Sequence, residues 1–250
     1  MPFTIGCDPE FFLKHNHKHI SAIGMVGGTK EDPKPLPKRG FAVQEDNVSV
    51  EFNIPPCDSS RTFIESIQYA MSAIQRKLKG IEFSQESAVL FDKDQLLHPK
   101  ALEFGCEPDF NAWTRSINPR PCAADQTLRS AGGHVHVGTQ ENPVEVIRAM
   151  DLFLGVPSTK LDKGTLRRQL YGKAGCFREK KYGCEYRTLS NFWIFSPQLI
   201  EWVYEQTKKA IEFVEEGRVI LEKDGHLIQS CINDNNEEAY DILSAAYRLT

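Results

Sequence analysis

Four short stretches of this chain alternate apolar residues with residues that carry chemistry, and no other feature limits the possible folds as tightly. In a strand, residues i and i+2 point to the same side. In Ile5-Gly6-Cys7-Asp8-Pro9-Glu10-Phe11-Phe12, Asp8 and Glu10 share one face, while Ile5, Cys7 and Phe11 share the other. Glu51 and Asn53 share a face opposite Val48, Val50, Phe52 and Ile54. His134 and His136 lie opposite Val135 and Val137; Glu185 and Arg187 lie opposite Cys184 and Tyr186. Antiparallel sheets often have one wet side, but such sides are usually Thr, Ser, Lys and Gln. These four front-face pairs hold acids, imidazoles, an amide and a guanidinium, and no lysine.

The elements around them predict an α+β domain with helices covering one sheet face. Strands are expected over residues 3–13 and 20–23, and a hairpin over 41–45 and 48–54 turning at Asp46-Asn47. A helix capped by Asp58 or Ser59 carries Phe63, Ile67, Ala70, Met71, Ile74 and Leu78 at steps of three or four and stops at Gly80. A second long helix is predicted over 197–216, closed by Gly217, with shorter ones near 143–154, 163–171 and 237–249. The pattern is weak over 84–129. The whole chain, 1–250, reads as one domain, with catalytic strands within 3–196 and a helical part over 197–250.

Composition excludes several function classes. The chain has 250 residues, 40% hydrophobic and 26% charged, enough for a well-buried core. Its net charge of −4 gives no electrostatic reason to expect a nucleic-acid partner. No apolar run approaches the roughly 18 residues of a membrane span, and the N-terminal residues lack the basic start and apolar stretch of a secretion signal; a cytoplasmic protein is expected. The 7 cysteines are odd in number and never spaced as CxxC, so reduced, buried thiols are the expectation.

Carboxylates with an imidazole suit Mg²⁺ or Mn²⁺, hard ions that favour oxygen. The His134-Val135-His136 pair also resembles the HxH of zinc hydrolases, but zinc wants three or four N/S ligands and this face offers mainly acids. Arg167, Arg168, Arg178 and Arg187, with Lys173, fall in one stretch beside Gly172, Gly175 and Gly183. Guanidinium forks near metal-binding acids are what a polyphosphate requires.

Taken together the motifs resemble a known family. Gly6-Cys7-Asp8-Pro9-Glu10-Phe11-Phe12-Leu13 is similar to the first metal-binding strand of glutamine synthetase, Val50-Glu51-Phe52-Asn53 to a second acidic strand, Gly132 to Gly138 to the histidine strand, and Glu185-Tyr186-Arg187 to the late Glu-x-Arg strand. With Gly105-Cys106-Glu107-Pro108-Asp109-Phe110-Asn111-Ala112-Trp113 and Tyr182 to Trp193, they resemble the phage-type carboxylate–amine ligases (type 2), amidoligases of the glutamine synthetase-like superfamily.

That resemblance implies a curved antiparallel sheet of glutamine synthetase catalytic-domain type with helices on its outer face. It implies ATP and Mg²⁺ (or Mn²⁺) as cofactors, with metal binding by Asp8, Glu10, Glu51, His134 and Glu185. The resemblance gives phosphate contact to Arg187 and more loosely to Arg178; the residues themselves add Lys173, Asn53 and His136 as cofactor-binding candidates, and Glu10, Glu51 and Arg187 are the expected catalytic set. The family reaction makes an acyl phosphate that an amine then converts to an amide. The expected partners are small-molecule or peptide carboxylates and amines, with no nucleic acid, no membrane and an open oligomeric state. Asp8 stands where glutamine synthetase has Glu, and 250 residues leave no room for that enzyme's extra N-terminal domain, so ammonia and a ring assembly do not carry over.

Minor candidates keep two readings each. Gly105-Cys106-Glu107-Pro108-Asp109-Phe110 repeats the first motif with the acids exchanged, and Glu107 and Asp109 stand either as an ammonium-binding substrate pair or as a capped turn. Asp46 either completes a metal site or serves its turn. His15, His17 and His19 read as solvated loop. Rival functions are a guanidino- or amino-group kinase, a zinc-dependent amide hydrolase using His134 and His136, and a binding module with a decayed site.

Overall fold

Proline decides the first architectural feature. The computed structural model describes residues 3–102, 109–119, 125–162 and 164–249. In chain order its strands are β1 (Thr4–Cys7), β2 (Glu10–His15), β3 (Lys18–Ile20), β4 (Lys34–Pro35), β5 (Ala42–Asp46), β6 (Ser49–Asn53), β7 (Glu82–Ser84), β8 (Ala88–Leu90), β9 (Phe110–Asn111), β10 (Ser116–Ile117), β11 (Leu128–Ser130), β12 (Val135–Gly138), β13 (Cys176–Lys180) and β14 (Gly183–Tyr186). The single strand expected over residues 3–13 is therefore two, broken at Asp8-Pro9. Pro9 has no N–H to give to a ladder, and the chain changes sheet there. β1 opens a sheet of order β1-β12-β14-β13-β9-β10, and β2 enters one of order β3-β2-β6-β5-β4, with β7 also on β2.

All the pairings among these strands are antiparallel. A bridge between Ile5 and Cys57, with bonds of 2.8 and 2.7 Å, joins the segment after β6 back to β1, and the N–H of Glu10 donates to the Gly132 carbonyl at 2.8 Å. The result is a curled half-barrel, α+β as expected. The hairpin about Asp46-Asn47 is present, with Asn47 in the left-handed conformation at φ 53°.

The helices are α1 (Ser60–Lys77), α2 (Pro143–Met150), α3 (Val156–Leu161), α4 (Thr165–Leu170), α5 (Pro197–Glu215), α6 (Glu222–Asp234) and α7 (Glu237–Tyr247). Ser59 caps α1, its hydroxyl accepting from the Thr62 N–H at 3.3 Å, an arrangement worth about 1 kcal/mol. The segment expected as one helix over 143–154 runs as α2, a π-helical turn (Asp151–Gly155) and α3. The sequence reading did not single out α6, whose Gly225 sits against Trp113 and whose apolar positions are few.

The core lies behind the sheets. Ile5, Cys7, Val135, Val137, Cys184 and Tyr186, the apolar alternates of β1, β12 and β14, pack in one cluster with Phe63 and Ile67 of α1, Ile147 and Met150 of α2, and Ile200 and Val203 of α5. Phe63 stacks on Trp193 at 5.9 Å, and the Trp193 indole donates to the Gly133 carbonyl at 3.3 Å. A side chain at Gly133 would collide with the Ser190 carbonyl, so the close approach that seats the histidine segment requires glycine. Cys7, Cys57, Cys176, Cys184 and Cys231 are buried free thiols; Cys106 and Cys122 lie outside the described residues. Among the described residues no helix is long and apolar enough to cross a membrane.

Candidate active site

Strand register assembles the polar face. His136 pairs with Glu185 across β12 and β14, and Glu185 with Arg178 across β14 and β13. In the second sheet Glu10 pairs with Glu51, and Glu51 with Gln44. The sheet change at Asp8-Pro9 brings these two rows side by side. Two groups of metal-type ligands result: Asp8, His136 and Glu185, and Glu10, Asp46 and Glu51, the ligand atoms of each group lying within 4.8 Å of one another.

In the first group the charges are answered by neighbours. Asp8 Oδ1 lies 3.1 Å from His136 Nε2 and 3.5 Å from His134 Nδ1. Glu185, 0% exposed, contacts Arg187 through Oε1 and Lys180 Nζ through Oε2 at 2.6 Å. Burial pushes Asp8 upward, but the attraction of His136 and His134 outweighs it and holds the carboxyl well below its usual range. Burial and Asp8 likewise raise Glu185, yet Arg187 and the two histidines bring it down to about 2. His134 is pushed down to about 4 by burial and Arg187, whereas His136 is raised because Asp8 overcomes its desolvation.

The second group is compensated less: Arg187 and Arg167 lower Glu10, and Lys30 and Arg187 lower Asp46, without overcoming burial. None of Glu10, Asp46 and Glu51 forms an ion pair among the described residues. Burial and the Asp46 charge push Glu10 up to about 8, and burial with Asp8, Asp46 and Glu10 raises Glu51 well above its ordinary value. Glu10 is fixed by backbone: its Oε2 accepts from the Gly132 N–H at 2.8 Å, and its carbonyl accepts from Asn191 Nδ2 at 2.9 Å.

These residues fit a divalent cation. Asp8 Oδ1, His136 Nε2 and Glu185 Oε2 are buried and lack a hydrogen bond among the described residues, though each has a charged neighbour. Oxygen-rich triads of this kind suit Mg²⁺ or Mn²⁺. No such triad among the described residues contains both histidines, although His134 Nδ1 and His136 Nε2 both approach Asp8 Oδ1.

Cations stand beside the first triad. Asp109, just before β9, lies with Oδ1 3.3 Å from Arg178 Nε and 3.0 Å from Arg187 Nε. Its carboxylate is thus engaged by two guanidinium groups. The hairpin that carries it is tied down behind β14: Trp113 Nε1 donates to Asp151 Oδ2 at 2.7 Å, and Asp151 Oδ1 accepts from the Tyr186 hydroxyl at 2.8 Å. Burial pushes Asp151, 0% exposed, up to about 7.

Residues 123–230 match the family model of the phage phiEco32-like COOH.NH2 ligase-type 2 proteins. The match supports the carboxylate–amine ligase resemblance drawn from the motifs. No curated protein matches the chain. The ligase-type 2 match spans His134, His136, Lys180, Glu185, Arg178 and Arg187; Asp8, Glu10, Asp46, Glu51 and Asp109 lie outside it. The family's name designates carboxylate–amine ligation, an enzyme's reaction.

Placement of the sequence candidates is uneven. Asp8, Glu10, Glu51, Glu185, His136, Arg178 and Arg187 are gathered, and Asp46 joins them from the hairpin turn. His134 lies beside Asp8 and Glu185, at 3.8 Å from the latter, but outside the triad that His136 completes. Asn53 shares the Glu51 face of β6. Lys173 is exposed, and it is its backbone carbonyl that the fold uses, accepting from Thr188 Oγ1 at 3.1 Å. Arg167 and Arg168 are buried; Arg167 donates to the Thr188 carbonyl at 2.9 Å, bracing the end of β14. Glu107 lies outside the described residues. The sequence reading missed Lys180, Gln44, Tyr182 and Asn191. Period-two spacing would have found two of them, since Lys180 follows Arg178 by two and Gln44 precedes Asp46 by two.

Proposed function

We propose that this protein is an ATP- and Mg²⁺-dependent ligase that joins a carboxylate to an amine through an acyl phosphate. The observation that carries the reading is the convergence, at one seam between sheets, of two acid-rich triads with Arg178, Lys180 and Arg187. Glu10, Asp46 and Glu51, and separately Asp8, His136 and Glu185, would hold the cations. Bound divalent metal would supply charge neutralisation for the phosphoryl group in transfer. Arg178 and Arg187 grip phosphate oxygens by their forks, and Lys180 adds a point charge beside Glu185.

The substrate carboxylate attacks the γ-phosphorus and ADP leaves; the amine then attacks the acyl carbon, phosphate departs and the ammonium proton is lost to solvent. The arginines and the lysine act by orientation and by stabilising developing negative charge. The substrate class that suits the resemblance is a peptide or amino-acid-like carboxylate.

The test is turnover with ATP, Mg²⁺ and pooled amino acids, amines and peptides. Release of ADP and free phosphate that needs both a carboxylate and an amine is the expected result. Phosphate retained on one substrate would identify a kinase. Activity that ignores ATP and is lost to a zinc chelator would identify a hydrolase.

A further inference from the structure

The turn between β13 and β14 brings Tyr182 over the site. Its hydroxyl oxygen lies 2.9 Å from His136 Nδ1, and the two rings stack at 24° with centroids 6.0 Å apart. The same residue is fixed through its backbone, the Tyr182 carbonyl accepting from the Thr139 N–H at 2.9 Å. On the far side of the imidazole, Nε2 faces Asp8 Oδ1 at 3.1 Å in the triad with Glu185.

We infer that Tyr182 is a positioning residue: its hydroxyl accepts a hydrogen bond from His136 Nδ1–H and so presents the Nε2 lone pair to a divalent cation held with Asp8 and Glu185. The role rests on the metal reading of the proposed function. An imidazole ligating through Nε2 must carry its proton on Nδ1, and a partner at Nδ1 fixes both tautomer and ring plane. A phenol is suited to this, being an acceptor that adds no charge to a site already rich in it. The two ring planes lie within 24° of each other with centroids 6.0 Å apart, so the hydroxyl meets the imidazole near its own plane, where Nδ1–H points. Tyr182 itself is 45% exposed and contributes no residue to the apolar core, so its hydroxyl is spared a packing duty.

The test is Mn²⁺ titration by calorimetry of the full chain and of Y182F, with H136A marking the part of the isotherm that belongs to this triad. Y182F keeps the stacked ring and removes only the acceptor. The expected result is about tenfold weaker Mn²⁺ binding in the phase that H136A abolishes, with the phase of the Glu10, Asp46 and Glu51 group unmoved. A purely structural role for Tyr182 would shift both phases or neither. An isotherm for Y182F that overlays the wild type overturns the assignment while leaving the metal reading intact. Wild-type protein that takes up no Mn²⁺ overturns both.

Discussion

At the Asp8 triad the protein answers its own negative charge. Lys180, Arg187 and His136 surround Asp8 and Glu185, and both carboxyls stay below their ordinary range. Two residues further along the chain, past Pro9, the Glu10 triad does the reverse: three acids face one another without an ion pair among the described residues, and all three are raised. The first arrangement is stable without a ligand. The second keeps a repulsion that the nearby Arg187, Arg167 and Lys30 offset only in part and that a proton or an added cation would relieve. The difference teaches how one sheet seam can carry two acid groups of unlike character, one neutralised by its neighbours and one left with its charge in excess.

The sharpest way to break this contrast is Glu51→Ala. Turnover should fall by about 10² or more while thermal stability holds or rises, because removing one of three repelling acids relieves the group; unchanged turnover with both Glu51→Ala and Glu10→Ala would sink the site assignment. Arg187→Met should act oppositely. It takes one guanidinium from buried Glu185 and half-buried Asp109, which keep Lys180 and Arg178, and urea denaturation should show a loss of about 1–3 kcal/mol.

The pH dependence of stability separates the two triads. Glu10 is raised from 4.5 to about 8, so the metal-free native state holds a proton that the unfolded chain gives up. Stability should therefore decline as pH rises from about 4.5 to 8, by at most about 1.4 kcal/mol per pH unit for one such group. Glu185, lowered from 4.5 to about 2, contributes stability that is complete above about 4.5 and lost as pH falls toward 2. Millimolar Mg²⁺ should abolish the alkaline decline and leave the acid limb in place; denaturation midpoints with Mg²⁺ and with EDTA across pH 3–9 check this. The smallest effect distinguishes two lysines: Lys180→Met should weaken nucleotide binding several-fold, and Lys173→Met should change it less than twofold, as read by fluorescent-nucleotide titration.

Much of this site was legible because strand alternation is a short-range rule. Asp8, Glu10, Glu51, His136, Glu185 and Arg187 announced themselves by sitting opposite Cys7, Phe11, Phe52, Val137, Cys184 and Tyr186. What alternation does not contain is register. That Glu51 stands opposite Glu10, and Arg178 opposite Glu185, depends on pairings between segments far apart in sequence. The same gap explains Lys173 and Lys180: both lie near Arg178 in sequence, but only Lys180 is two residues away on the same strand face. The break at Pro9 was readable from the missing N–H, yet the destination of β2 in another sheet was not. Helices α1 and α5 were plain from their periodic apolar residues, while α6 was hidden by Gly225 and by having only Ile228, Cys231 and Ile232 to give to the same core.

The dipeptide Asp8-Pro9 acts as a ruler. Asp8 belongs to one triad and Glu10 to the other, and only two peptide bonds separate their Cα atoms, so the spacing between the two acid groups is written into covalent geometry and not left to loops. Inserting a single residue there would reverse the side on which everything downstream in β2 projects, swinging Glu10 into the apolar interior and Phe11 into the polar cleft. The spacing of the two acid groups is thereby set independently of the loops that rim the cleft.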